Sequence, residues 1–391
     1  MRPSPWHGRL RRLVDRGLER RMRAMAGAPG PEVETPDGVK LVFCSNDYLG
    51  LAADPRLVEA LVGGARRWGV GATASRLVSG DALAHEELES RLAELMRSPR
   101  AVLFPSGYQA NVGALSCLTG EGDVLFSDEL NHASLIDGCR LSRAAVRVFP
   151  HRDVERLDDL LRRSPASGLR LIVSDALFSM DGDRAPLEQI CDIAARHDAL
   201  VYLDEAHSLG VLGPGGRGLA CELGLEERVA VRIGTLGKAL GVCGAFAACD
   251  ESAARLVRSS ARSLLYTTGP PPALAEAALA ALGIAAAADA RREALFENVE
   301  LFRRLASAAG IELCDSRSPI QPVPIGGSRR AMEISERLWK EGIFVQGIRP
   351  PTVPEGTARL RVTLTAAHEP AHVERLVEAL RGALEETFEQ R

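Results

Sequence analysis

Lysine is rare in this chain. Of 48 basic residues only Lys40, Lys238 and Lys340 are lysines, and the rest are arginine. A guanidinium keeps its proton at any working pH, whereas an amine can lose one, so a lysine that persists in such a background invites a chemical reading. Lys238 sits in G-T-L-G-K-A-L-G, where glycines let the backbone approach a ligand closely. An acid and a histidine precede it: Asp204 opens D-E-A-H, His207 follows three residues later, and Lys238 lies 34 residues beyond the acid. Singly, each has a bland reading. Asp204 would be a turn or cap former, His207 and His132 helix-start residues, Ser179 a turn serine, Tyr266-Thr267-Thr268 a linker, and Arg349, Arg359 and Arg361 solvated strand residues. Order and spacing favour chemistry.

These residues follow short apolar runs. In open α/β sheets ligands gather beyond the carboxyl ends of the strands. After Leu200–Leu203 come Asp204, Ala206 and His207, and after Val229–Ile233 come Thr235 and Lys238. Leu171–Ser174 leads to Asp175 and Ser179, Ala101–Phe104 to Ser106-Gly107-Tyr108 and a helix, and Asp123–Phe126 to Asn131-His132. An amine, an acid, hydroxyls, a helix start and histidines at successive strand ends are the parts of a site for pyridoxal 5'-phosphate. The amine joins the cofactor aldehyde, and the carboxylate faces the pyridine nitrogen and keeps it protonated, which makes the ring an electron sink. An imidazole on one face and the small Ala206 on the other would hold the ring flat. Thr235 and the backbone N–H groups of Gly107 and Tyr108 suit the phosphate.

The elements that must position these groups can be read from patterning. The apolar runs alternate little with polar residues, as expected of strands covered on both faces, and add Val146–Phe149 and Ala245–Ala248 to those above. Segments such as Leu83–Met96 and Pro186–His197 carry helical spacing. The pattern predicts an α/β fold with a mostly parallel central sheet covered by helices. Beyond Tyr266–Pro272 an alanine-rich helix over about 273–288 and a second over 289–309 follow. Strand 320–325, helix 328–341, strand 343–348, strand 359–363 and helix 370–388 then suggest a small C-terminal α+β domain. Residues 1–25 are expected to form an amphipathic helix with Leu10, Leu13, Val14, Leu18 and Met22 on one face, without the apolar core of a secretory signal. Residues 27–38 read as a linker and 39–43 as a strand. Expected boundaries are 1–45 for helix and linker, 46–285 for the large domain and 286–391 for the small one.

Composition narrows the function. The 391 residues are 26% charged and 46% hydrophobic with a net charge of −4, which disfavours nucleic-acid and anionic-membrane binding. No apolar run is long enough to span a bilayer. Eight scattered cysteines without a C-x-x-C pair suggest free thiols in a reducing, cytoplasmic compartment, with neither a disulfide framework nor a metal site.

Longer stretches sharpen this. S-N-D-Y-L-G (45–50), F-P-S-G-Y-Q-A-N (104–111), D-E-L-N-H-A-S (128–134), F-S-M-D-G-D (178–183), Y-L-D-E-A-H (202–207) and G-T-L-G-K (234–238) span the chain. With them it resembles, nearly end to end, the α-oxoamine synthases, fold-type I pyridoxal-phosphate transferases. Residues 318–326 and 348–368 most resemble the members that condense L-alanine with a pimeloyl thioester of CoA or acyl-carrier protein. The resemblance implies that Lys238 carries the cofactor and removes the α-proton of the amino acid. Asp204 would pair with the pyridine nitrogen, His207 and Ser179 with the ring oxygen, and His132 would stack opposite Ala206. Gly107, Tyr108 and Thr235 would bind the cofactor, and Thr267 and Thr268 would reach the phosphate from the other subunit of a homodimer. Arg361 would hold the amino-acid carboxylate near Asn46. Arg20, with its register open to Arg21, would meet the distal carboxylate of the acyl chain.

Two departures keep a sister activity in view, such as glycine with acetyl-CoA or another amino acid with a long acyl thioester. His207-Ser208-Leu209-Gly210 and Ile136-Asp137-Gly138 resemble other members of the family. A non-catalytic scaffold subunit of the same fold would have lost the lysine and the paired acid, and both stand here.

Overall fold

The structure, a computed structural model, describes residues 4–389. By density of contacts the chain divides into two units. One holds 47–179 and 183–292, and the other holds the residues up to Asn46, 180–182 and those from Glu293 onward. The N-terminal segment that sequence patterning set apart thus clusters with the C-terminal part.

In chain order, β1 (Glu32–Thr35) and β2 (Gly38–Val42) precede seven strands of the larger unit. These are β3 (Arg100–Phe104), β4 (Val124–Asp128), β5 (Ala145–Phe149), β6 (Arg170–Asp175), β7 (Leu200–Asp204), β8 (Val231–Thr235) and β9 (Ala245–Cys249). They form one sheet in the order β3-β9-β8-β7-β6-β4-β5. The strands from β4 to β8 run parallel, and β9 is antiparallel to both β8 and β3. The mostly parallel sheet expected from the apolar runs is present, and its middle strands β6 and β7 are buried beyond their first residue, as a sheet covered on both faces requires.

Register matters most for function. Asp175 is level with Asp204 across β6 and β7, and Asp204 is level with Ile233 across β7 and β8. Parallel strands ending together deliver their next residues to one edge. The turn after β8 is closed by the Gly241 N–H donating to the Lys238 carbonyl at 2.9 Å. Gly241 has φ +67°, and a Cβ there would meet the Ala52 nitrogen at 2.5 Å, so this turn demands glycine.

The smaller unit contains two three-stranded sheets. β1, β2 and β11 (Ile343–Phe344) form one; β10 (Ile320–Gly326), β13 (Ala358–Thr363) and β12 (Gln346–Ile348) form the other. The single strand expected over 343–348 is therefore two. Its first half pairs parallel to β2 and its second half antiparallel to β13, with buried Val345 at the changeover. The expected linker over 27–38 also differs. Pro36-Asp37 is the two-residue turn of the β1–β2 hairpin, pinned by the Thr35 hydroxyl donating to the Gly38 carbonyl at 2.7 Å.

The N-terminal helix is shorter than its apolar spacing predicts. It runs over His7–Asp15, Gly17 leaves it at φ +64°, and none of its residues is buried. Residues 1–3 of the predicted helix lie outside the described residues. With no apolar face covered, nine residues have little to sustain further turns. Among the described residues no single helix is long and apolar enough to cross a membrane.

His368 is the buried hinge of hydrogen bonding in this unit. Its Nδ1 accepts the Thr365 N–H at 3.0 Å, so the proton sits on Nε2, which donates to the Val42 carbonyl at 3.1 Å, while the ring stacks on Phe43 at 4.2 Å. Burial, with His372 nearby, lowers its pKa from 6.5 to about 4. The unfolded chain therefore binds a proton between these values that the folded one refuses, and stability falls as pH drops from 6.5 to 4, by roughly 3 kcal/mol. Urea unfolding at stepped pH should show this slope in the wild type and its loss in His368→Gln; equal slopes in both would refute it.

Candidate functional site

The turn after β8 brings Lys238 Nζ to 2.8 Å from His207 Nε2. On the other side of the imidazole, Tyr48 Oη stands 2.6 Å from Nδ1. His207 and Tyr48 are buried, and Lys238 is half-buried. An ammonium can only donate, so while Lys238 is charged Nε2 accepts and Nδ1–H donates to the tyrosine oxygen. Once the amine is neutral, it can accept from Nε2–H while the tyrosine O–H donates to Nδ1. Two protonation states of one amine thus have two satisfied hydrogen-bond patterns.

Asp204, at the end of β7, is seated from both sides. Its Oδ1 accepts the Ala206 N–H at 2.8 Å and its Oδ2 accepts from Asn111 Nδ2 at 2.6 Å. The same Asn111 amide donates to Ser134 Oγ at 2.9 Å, and its oxygen accepts the Tyr202 hydroxyl at 3.0 Å. Asn111 projects from the helix over Gly107–Leu118, whose start is capped by Ser106 accepting from the Gln109 N–H. Ser134 also meets His132 Nδ1 at 2.7 Å, so one network joins the exposed His132 to the buried Asp204.

His132 caps the helix over Ala133–Leu141, and its backbone N–H donates to Asp175 Oδ2 at 2.7 Å. Burial holds its pKa below the ordinary value, with the charge of Lys238 acting the same way and that of Asp204 opposing; a neutral ring is the form suited to lie flat on another ring. Asp175 is fully enclosed. Burial, with Asp204 beside it, pushes its carboxyl well above the usual carboxylate range.

Thr235, the last residue of β8, donates to the Gly244 carbonyl at 3.2 Å and accepts from the Gly237 N–H at 3.3 Å. Gly107 and Tyr108 occupy the first turn of their helix, where N–H groups lack intrahelical partners, and the space where a Gly107 Cβ would point is open. The Tyr108 hydroxyl donates to Asp137. Ser179 is half-buried in the turn after β6; Thr267 is half-buried and Thr268 exposed in the loop after the helix Arg262–Leu265.

The smaller unit brings together two of its own predicted residues. Buried Arg361, on β13, directs Nη1 and Nη2 to Asn46 Oδ1, both at 3.2 Å, and Nη1 to Thr363 Oγ1 at 3.0 Å. Arg20 donates to Thr352 Oγ1 at 2.9 Å, whereas exposed Arg21 lies nearest Glu19 at 3.9 Å. Burial and the charge of Arg20 lower the pKa of Arg349.

Three functional neighbours escaped sequence reasoning: Tyr48, Asn111 and Tyr202. All three fall inside shared sequence stretches, and a polar residue on the apolar face of Ala110, Ala114 and Leu115 was the available signal for Asn111. The donor set fits pyridoxal 5'-phosphate in kind. An amine, a doubly anchored carboxylate, an imidazole and a helix start with open space beside it are the groups that its aldehyde, ring nitrogen, ring face and phosphate would call for.

Comparison with known proteins agrees. Residues 39–380 match the family model for aminotransferase class I and II. A protein of Aromatoleum aromaticum named 8-amino-7-oxononanoate synthase is 49% identical over 95% of this chain and 96% of its own length. One of the same name from Marinobacter nauticus is 50% identical over 93% of this chain and 92% of its own. Among solved structures, serine palmitoyltransferase of S. paucimobilis with bound PLP-myriocin aldimine superposes with a TM-score of 0.92 at 30% identity, covering 98% of each chain.

Replacing Asn111 by alanine should leave three buried partners, two on β7 and one on the helix over Ala133–Leu141, short of a bond. Unfolding by urea should then report a loss of about 2–3 kcal/mol. A loss below about 0.5 kcal/mol, a typical surface value, would mean the network carries no weight.

Proposed function

The chain belongs to the aminotransferase class I and II family, and we propose that it is an 8-amino-7-oxononanoate synthase of biotin biosynthesis. It condenses L-alanine with a pimeloyl thioester of CoA or acyl-carrier protein, releasing carbon dioxide and the thiol carrier. The observation that carries this reading is identity of about half, over nearly the full length, to proteins of that name. Pyridoxal 5'-phosphate, when bound, supplies an electron sink for charge developing at the α-carbon.

The chain's own residues do the rest. Lys238 Nζ holds the cofactor and, once freed by the incoming amino acid, takes the α-proton as a neutral amine. His207, at 2.8 Å, accommodates both charge states of that nitrogen because Tyr48 can reverse its hydrogen bond. Asp204 is held by Asn111 and the Ala206 N–H to face the pyridine nitrogen. His132 would stack on the ring opposite Ala206, and Ser179 would join His207 in hydrogen bonding the ring oxygen. Gly107, Tyr108 and Thr235 hold the phosphate, with Thr267 and Thr268 of a second copy in a homodimer. Arg361, its fork set by Asn46 and Thr363, offers a bidentate seat for the alanine carboxylate. Arg20 meets the distal carboxylate of the pimeloyl chain. The proposed compartment is the cytoplasm.

A matrix of amino acids against acyl thioesters, followed by thiol release, tests this. L-Alanine with a pimeloyl thioester should be the best pair; preference for glycine with acetyl-CoA would overturn it. Lys238→Ala should lower kcat by at least about 10²–10⁴-fold, the span of general acid–base catalysis, and retained turnover would refute the assignment. Arg20→Ala should weaken use of the pimeloyl thioester by roughly tenfold or more while sparing unbranched monocarboxylic thioesters. Equal losses on both would dissociate Arg20 from the distal carboxylate.

A further inference from the structure

Behind the turn that carries Ser179, His151 lies between two carboxylates from separate parts of the larger unit. Its Nδ1 is 3.0 Å from Oδ1 of Asp128, the last residue of β4, and its Nε2 is 2.9 Å from Oδ2 of Asp183. Carboxylates accept, so an imidazole facing one on each side is satisfied only with both nitrogens protonated. The ring also stands edge-on to Phe178, centroids 4.4 Å apart at 86°. Phe178 and Asp183 are the two arms of the turn, joined by the Phe178 N–H donating to the Asp183 carbonyl at 2.9 Å. His151 thus grips both arms, one by its ring and one by charge.

The other charged groups around it tighten the grip. The His151 N–H donates to Glu129 Oε1 at 2.9 Å; the Arg152 N–H donates to Asp128 Oδ2 at 2.9 Å, and Arg152 Nη1 to Asp183 Oδ2 at 3.0 Å. Arg152 therefore also links the two carboxylates, through its backbone at Asp128 and its guanidinium at Asp183, and keeps both bonds at any pH; His151 is the link made by a single ring, and the one whose charge can be lost. Without the imidazole, the end of β4 and the far arm of the turn keep only the Arg152 link, and Phe178 loses the ring that packs against it.

We infer that His151 is a positioning residue for Ser179: bridging Asp128 and Asp183 against Phe178, it fixes the turn from which the Ser179 hydroxyl addresses the cofactor ring. The inference rests on the role proposed for Ser179. Although burial opposes it, hydrogen bonding to Asp128 and Asp183 raises the His151 pKa to about 9. A folded value above the ordinary one means the bridge is at full strength below pH 6.5 and is lost as pH rises through about 9.

The test compares His151→Ala, His151→Gln, Ser179→Ala and the double variant His151→Ala/Ser179→Ala. Each is reconstituted with pyridoxal 5'-phosphate, and its visible spectrum and cofactor dissociation constant are followed from pH 7 to 10. Ser179→Ala and His151→Ala should each weaken cofactor binding about tenfold and shift the spectrum alike, and the double variant should add nothing. His151→Gln, still able to donate to one carboxylate, should recover part of the affinity but lose the wild-type weakening near pH 9; it also serves if the alanine variant fails to fold. If Ser179→Ala shifts affinity while both His151 variants behave as wild type, the inference falls and the role of Ser179 stands. If Ser179→Ala changes nothing, both fall. Losses that multiply in the double variant would also overturn the inference, since His151 would then act independently of Ser179.

Discussion

A carboxylate cannot be buried at a strand end without donors for both oxygens, and the larger unit is arranged around that requirement at Asp204. One donor is local, the Ala206 N–H two residues on. The other comes from Asn111 on a different helix, which must itself be oriented. Tyr202 and Ser134 do so, and Ser134 in turn meets His132. Since the amide uses both hydrogens and its oxygen, its orientation is fixed by bonding alone. Satisfying one acid therefore positions an imidazole as well, and the parallel register of β6, β7 and β8 sets Lys238 at the same edge.

The same economy operates at His207. A single ring serves as partner to an amine that must change charge, and the tyrosine behind it removes the penalty of either state. Asp175 contributes from a different direction. Enclosed and level with Asp204, it holds the backbone of His132 while its own carboxyl is biased toward the protonated form.

Much of this was legible before any coordinates. The apolar runs located the strands of the central sheet to within a few residues, because strands covered on both faces leave little ambiguity in pattern. Lys238 stood out by the scarcity of its type, and Asp204 and His207 by their spacing from it. Tyr48 and Asn111 did not, because their partners lie 159 and 93 residues away and only folding reveals the pairing. Periodicity misled at the N-terminus: Leu10, Leu13, Val14, Leu18 and Met22 trace a helical stripe, yet the helix stops at Asp15 with that stripe uncovered. Apolar spacing describes what a helix could bury, not whether anything is there to bury it. The stretch 343–348 looked like one strand because both halves are extended; which sheet each half joins is a tertiary choice.

That last division has a mechanical consequence. Ile343–Phe344 edges one sheet of the smaller unit and Gln346–Ile348 edges the other, with Val345 buried between them and its carbonyl held by the Ser335 hydroxyl at 2.7 Å. Slipping either half by one residue would turn its side chains over and drag the other half out of alignment with a different set of partners. The two small sheets are therefore geared together through one residue, and an insertion or deletion there would disengage both at once.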